Sequence, residues 1–278
     1  MLRLRSIAEI PSGLPTPVVL VPTMGSLHEG HRALIRRARE IAGEAGSVLV
    51  SIFVNPLQFD RPADLEAYPR VVESDLAICE QLGVDTVFFP EPTDFFAADH
   101  SIAVSEDLLS KHLCGATRPG HFEGVCTVVL KLFNVLTPTD ALFGKKDYQQ
   151  LAIIRRLVRD LALPVKIHGL ETIRESDGLA LSSRNLNLTA IQRADAPRLR
   201  RALLAARDLR INGEQRSEVY LETARLLLLQ NAPEDLKIDY LQLVNRESLQ
   251  LLANVTGNAL LAAALYYDEV RLIDNIEI

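Results

Sequence analysis

The chain has 278 residues, 48% of them apolar and 24% charged, with a mean hydropathy of +0.11. So much apolar side chain offsets the entropy of ordering a backbone, which excludes a largely disordered protein. A balance of 36 acidic to 30 basic residues gives a net charge of −6, and there is no Trp and only 5% aromatics. The basic surplus of a duplex binder and the stacking platform of a single-strand binder are both missing, so nucleic acid is not an expected partner.

At the N-terminus, Leu2, Leu4 and Ile7 alternate with Arg3, Arg5 and Glu9, so no continuous apolar core of a signal peptide forms. The longest apolar run, 259–267, is far shorter than the roughly 20 residues that cross a bilayer. Cys79, Cys114 and Cys126 form no CxxC pair and leave an odd thiol, which fits a reducing, cytoplasmic compartment. No membrane association is expected.

The β-branched run 18–21 reads as a buried strand stopped by Pro22. Residues 31–45 have helical spacing, with Leu34, Ile35, Ala38 and Ile41 on one face and arginines on the other. A second buried strand at 47–54 closes at Asn55-Pro56, a helix follows at 74–82, and a third strand lies at 85–89. Strand–helix alternation of this kind signals a parallel sheet with right-handed crossovers. After a looser stretch at 93–120 it resumes: helix 125–136, strand 141–143, helix 148–161, strand 165–168.

Residues 189–230 then carry helical periodicity broken at Asn212-Gly213, with Pro197 in a first turn. Strands at 238–244, 259–266 and 270–273 are expected to be antiparallel. The fold class is α/β: a doubly wound N-terminal domain followed by a smaller α+β C-terminal domain. A boundary within 176–186 divides the chain into 1–178 and 179–278.

In open α/β sheets, ligands sit beyond the carboxyl ends of strands, where helices begin. The first such junction reads Pro22-Thr23-Met24-Gly25-Ser26-Leu27-His28-Glu29-Gly30-His31. Gly25 permits a tight turn, Gly30 lets the helix start approach a ligand, and the helix N-terminus favours anions through its unpaired N–H groups. His28 and His31, three residues apart, lie on one helical face and can donate hydrogen bonds to a phosphate. The alternatives are a histidine that packs or caps, and a zinc site. The second lacks a third ligand at evident spacing. No GxGxxG is present, and Gly144-Lys145-Lys146 lacks the upstream glycine of a Walker loop.

Pro22-Thr23-Met24-Gly25 with His28-Glu29-Gly30-His31 resembles the first motif of the HxGH nucleotidyl-transfer superfamily, and within it the pantoate–β-alanine ligases. Five further blocks resemble that family in order: Phe53-Val54-Asn55-Pro56-Leu57-Gln58-Phe59, Tyr68-Pro69-Arg70, Arg118-Pro119-Gly120-His121-Phe122, Gly144-Lys145-Lys146-Asp147-Tyr148-Gln149-Gln150, and Ser176-Asp177-Gly178 through Leu181-Ser182-Ser183-Arg184-Asn185. The set spans residues 22–185. One block alone carries little; the ordered set is highly specific.

The resemblance implies a Rossmann-like first domain, a second domain acting as a lid, and an ATP-dependent ligation in two steps. Pantoate's carboxylate attacks the α-phosphorus of ATP, giving pantoyl adenylate and pyrophosphate; the amine of β-alanine then attacks the acyl carbon, giving pantothenate, the coenzyme A precursor, and releasing AMP. The catalytic residues implied are His31, His28 and Lys146, with His31 as proton donor or transition-state stabiliser. The ATP site implied is Met24, Gly25, Ser26, Leu27, His28, Glu29, Gly30, His31, Gly144, Lys145, Lys146, Asp147, Ile173, Leu181, Ser182, Ser183 and Arg184. Lys145 stands where many relatives carry an acidic residue, and as a bare sequence Lys145-Lys146-Asp147 also reads as a solvated loop.

For substrate the resemblance implies Gln58, Gln150, Asn55 and Arg118. Neutral amides suit pantoate, because an arginine clamp would draw charge off the attacking oxygen. Pro22, Met24, Phe53 and Val54 are plausible apolar walls for its gem-dimethyl group, although any buried strand would supply the last two. Mg²⁺ is expected on the triphosphate with few protein ligands, Asp75 being a candidate through water. The family implies a homodimer. An adenylyltransferase sharing His28 and His31 is the nearest rival reading, and a non-catalytic nucleotide-sensing module a more distant one.

Overall fold

The computed structural model describes residues 1–278. The chain resolves into two compact units. The first comprises Met1–Glu106, Arg118–Lys145 and Ile153–Glu171; the second comprises Asp107–Thr117, Lys146–Ala152 and Thr172–Ile278.

The first unit is built on six parallel strands: β1 (Leu2–Leu4), β2 (Val18–Thr23), β3 (Ser47–Ile52), β4 (Thr86–Phe88), β5 (Asp140–Gly144) and β6 (Lys166–Leu170), in the order β1-β4-β3-β2-β5-β6. From β2 the chain steps outward through β3 and β4 on one side, and later through β5 and β6 on the other. The order therefore reverses at β2, and the ligand crevice of a doubly wound sheet lies at such a reversal. β3 is buried along its whole length, as a strand covered on both faces must be. The helix Glu29–Ala42 lays Leu34, Ile35, Ala38 and Ala42 against Val19, Val21, Val48 and Val50.

Two strands differ from expectation. β2 does not stop at Pro22 but runs to Thr23. Val18 O accepts from Thr139 on the β5 side and Thr23 O accepts from Phe53 on the β3 side. By alternation, Pro22 faces β5, whose pairing with β2 has already ended at Leu20–Ala141, so no ladder bond is lost. The edge strand β1 carries no sequence signal of its own, because three residues with an arginine at the centre show no usable period.

The second unit has an antiparallel sheet, β7 (Leu236–Asn245), β8 (Ala259–Tyr267) and β9 (Val270–Glu277), with β8 central. Leu199, Ala202, Leu203 and Ala206 from the helix Arg198–Asp208, and Tyr220, Ala224 and Leu228 from the helix Ser217–Leu229, join β8 in one core. The apolar run 259–267 is thus a buried central strand. No helix is long and apolar enough to cross a membrane.

Burial pushes the thiols of Cys79 and Cys126 up to about 12, with Asp75 and Glu106 adding to the shift at the two sites respectively. Both stay protonated at neutral pH, and only Cys114 is half-exposed. A thiol-exchange reagent should therefore titrate one cysteine per native chain and three after unfolding. Fast modification of two or more in the native protein would contradict this burial.

Candidate active site

The loop after β2 is held almost entirely by its own neighbours. Thr23 Oγ1 donates to Ser51 O at 2.8 Å and accepts from Gly25 N at 3.1 Å. Ser26 N and Leu27 N donate to the two carboxylate oxygens of Asp75 at 2.8 and 2.7 Å. Gly25 and Ser26 have φ of 80° and 52°. With both residues at positive φ, the Ser26 and Leu27 amides converge on the carboxylate of Asp75, which is 1% exposed. Burial raises the Asp75 pKa above the ordinary aspartate range, while the two N–H groups work against that rise.

The histidines complete the turn. His28 caps the helix Glu29–Ala42: its Nδ1 accepts from Gly30 N at 3.1 Å, and His31 Nδ1 accepts from His28 N at 3.3 Å. This is the reciprocal arrangement of a capping box, made by two imidazoles instead of a hydroxyl and a carboxylate. Their ring centroids are 4.1 Å apart. An Nδ1 that accepts carries no proton, so each neutral ring holds its hydrogen on Nε2. The His28 and Gly30 amides at this helix start are thus bonded to imidazole nitrogens. A Cβ on Gly30 would lie 2.8 Å from His28 Cε1, which is why the position admits no side chain while the ring caps.

Asn55 and Gln58 form a second layer in the same unit. Asn55 Nδ2 donates to Gln58 Oε1 at 3.1 Å and to Gly124 O at 3.0 Å, while Gln58 Nε2 lies 2.9 Å from Met24 Sδ. The Gln58 side chain is thereby oriented toward the first motif. Arg118 bonds Asp60 through Nε at 2.9 Å and the Gln58 carbonyl at 3.2 Å, and holds the Asp60 carboxyl below its usual range against the opposing effect of burial. His121 Nδ1 lies 2.8 Å from the same carbonyl. The pair Arg118–His121 therefore fixes the Gln58 backbone. Sequence reasoning assigned no role to His121, since its contact with residue 58 is 63 residues away.

A cavity of about 210 Å³ in this unit is lined by Met24, Gly25, Phe53, Val54, Arg70 and Asp75, among others. It is smaller than the roughly 300–1,000 Å³ of drug-sized pockets, and Asn55, Gln58, His28 and His31 do not line it. Three of the four expected apolar walls line it; Pro22 does not. Gly144 ends β5, and Lys145 pairs with Glu171.

In the second unit, Lys146 Nζ stands 3.8 Å from Asp147, and Asn275 Nδ2 donates to the Lys146 carbonyl at 2.9 Å. Gln149 is buried and donates to Leu109 O and His112 O, whereas its neighbour Gln150 is half-buried. The segment of Ile173, Leu181, Ser182, Ser183 and Arg184 is a pinned turn. Leu181 N donates to Ile173 O, Ser182 Oγ accepts from Arg184 N, and Arg174 makes a bidentate pair with buried Asp274 at 2.7 and 2.9 Å.

The sequence profile described as pantoate-beta-alanine ligase matches residues 3–277. The chain belongs to the pantoate–β-alanine ligase family. A pantothenate synthetase of Akkermansia muciniphila is 56% identical over 261 residues, covering 94% of this chain and 92% of its own. The crystal structure of pantothenate synthetase from Thermus thermophilus superposes with a TM-score of 0.93 at 43% identity, over 100% of this chain and 99% of that one. A pantoate–β-alanine ligase from Francisella tularensis, complexed with β-γ ATP and β-alanine, superposes with a TM-score of 0.77 at 32% identity, over 100% and 97% of the two chains. The six-stranded parallel sheet with a small antiparallel sheet is the fold of this ligase family.

Proposed function

We propose that the chain joins pantoate to β-alanine at the expense of ATP, through a pantoyl adenylate, releasing AMP and pyrophosphate. The observation that carries this reading, beside family membership, is the reciprocal imidazole cap, which fixes both rings through Nδ1 just beyond the carboxyl end of the central strand β2, at the sheet's reversal point.

In the first step negative charge grows on the α-phosphoryl group. Fixed donors aimed at that charge lower the barrier most. His28 and His31 act there as neutral Nε2–H donors; an imidazolium would carry a proton on Nδ1 and break the cap. A neutral imidazole beside a helix N-terminus serves as an electrophile in the same manner elsewhere. Met24, Gly25, Ser26, Leu27, Glu29 and Gly30 form the loop against the nucleotide. Gln58 and Asn55 orient the pantoate carboxylate and hydroxyls, with Arg118 acting through the Gln58 backbone.

For the second unit the assignment rests on motif match alone: Lys146 to the triphosphate, Asp147 to a ribose hydroxyl or a metal-bound water, Gln150 to pantoate, and Ile173, Leu181, Ser182, Ser183 and Arg184 to ATP. Gly144 and Lys145 complete the nucleotide set. Mg²⁺ bound with the triphosphate would neutralise part of its charge and would need few protein ligands. Asp75 is not assigned to it, because it is 1% exposed and already bonded to the Ser26 and Leu27 amides.

A hydrolysis-prone acyl adenylate requires water exclusion, so 179–278, the larger part of the second unit, is assigned to a lid, and nucleotide and pantoate binding to 1–178, which includes that unit's segments Asp107–Thr117 and Lys146–Ala152. A cytoplasmic homodimer completes the proposal on family grounds.

The test is incubation with MgATP and pantoate, with and without β-alanine, following pyrophosphate, AMP and amide. Pyrophosphate should form with pantoate alone and AMP only after β-alanine is added. A stable adenylylated product would instead establish an adenylyltransferase. In the same assay His31→Ala should slow pyrophosphate formation by about 10²–10³-fold while ATP affinity changes far less. Lost affinity with unchanged turnover at saturation would refute the role given to His31.

A further inference from the structure

We propose that Asp75 is a positioning residue of the ligation: its buried carboxylate holds the 24–28 loop in the conformation that presents His28 and His31. The inference rests on the phosphoryl-transfer role proposed for those two histidines.

The carboxylate sits under the positive-φ turn of Gly25 and Ser26. Its two oxygens take the Ser26 and Leu27 amides, and an added Cβ on Gly25 would stand 2.9 Å from Oδ2. A non-glycine residue at a φ of 52° is held there only when its surroundings overdetermine it. Here the determinant is a side chain on another helix, Val72–Gln81, tucked directly beneath the loop. Leu27 is followed at once by the capping imidazole, so a loop released at residues 26 and 27 would also release the His28 N–H bond to His31. With that bond gone, nothing in the cap keeps the His31 proton on Nε2. The same reading explains why a carboxylate stands so near the loop: two backbone N–H groups are bonded to it.

Asp75→Asn keeps the shape but replaces one acceptor with an NH₂ group facing an N–H. The full-length variant should fold and form pyrophosphate about 10²-fold more slowly at saturating MgATP and pantoate, the loss expected of a displacement near 1 Å. Nitrogen-15 spectra of the imidazoles should show both rings as the Nε2–H tautomer in the parent protein and a tautomer mixture in D75N. A role confined to stability would move the melting temperature but neither the tautomers nor the turnover of the folded fraction.

Parent-like turnover with both rings still protonated on Nε2 would overturn the proposal. So would a raised Mg²⁺ requirement with unchanged imidazole spectra, which would mark Asp75 as a metal ligand. In the unaltered chain the Ser26 and Leu27 amides should exchange slowly with solvent; fast exchange of both would overturn the proposal even if D75N did not fold. Tautomers that respond to D75N in a chain without ligase activity would support the loop assignment while overturning the ligase reading.

Discussion

Gly124→Ala should leave a folded chain with pantoate kcat/KM reduced by about 10²-fold. Gly124 lies in the first turns of the helix His121–Leu136, which meets the 55–58 turn backbone to backbone. An added Cβ would sit 2.3 Å from Leu57 O, 2.4 Å from Leu57 C and 2.6 Å from Gln58 N. None of these atoms is the end of a flexible side chain, so helix and turn must separate by about 1 Å, at the roughly 1–3 kcal/mol typical of overpacking. The separation stretches the Asn55–Gly124 hydrogen bond and carries the Gln58 amide with it. Steady-state kinetics with pantoate as the varied substrate, beside a thermal melt, decide the matter. Parent-like pantoate kinetics would show that the turn does not position the acid.

Gly30→Ala should behave in the opposite way toward stability and just as severely toward catalysis. Alanine in a helix is favoured over glycine by up to about 1 kcal/mol, and losing an N-cap costs about 0.5–2 kcal/mol, so the melting temperature should barely move. The added methyl, however, would stand 2.8 Å from His28 Cε1 and 3.0 Å from Nδ1. The ring can swing away, which relieves the clash but abandons the bond to Gly30 N and the tautomer it enforces. Pyrophosphate formation should fall by about 10²–10³-fold, the range for losing one transition-state donor. A stable variant of undiminished turnover would separate the cap from the chemistry.

The parts legible in the sequence were those with local signatures. Buried strands at 18–21, 47–54 and 85–89 and the apolar face of Leu34, Ile35 and Ala38 follow from periodicity, and all have counterparts in the fold. The His28–His31 spacing pointed to one helical face, and capping stood beside phosphate binding as an alternative. In the structure the two rings form a reciprocal cap through Nδ1, an arrangement compatible with the phosphate role proposed for them.

What periodicity could not reveal are the partners brought from afar. Asp75 is 48 and 49 residues from the amides it binds, and alone it reads as an ordinary acidic residue in the first turn of a helix. Arg118 meets Asp60 across 58 residues, and Gly124 serves a turn 69 residues from Asn55. Such contacts are products of topology, and no window of neighbouring residues contains them.

The makeup of the second unit bears on how it can be dissected. Segments Asp107–Thr117 and Lys146–Ala152 belong to it although they are distant in the chain from Thr172–Ile278. Gln242 receives the Leu113 amide, Arg246 meets the Tyr148 hydroxyl, and Asn275 donates to the Lys146 carbonyl. A tail excised at residue 172 would therefore carry a sheet stripped of several cross-chain partners. Useful fragments would have to be spliced from three stretches of the gene, and a simple C-terminal truncation library would miss the module altogether.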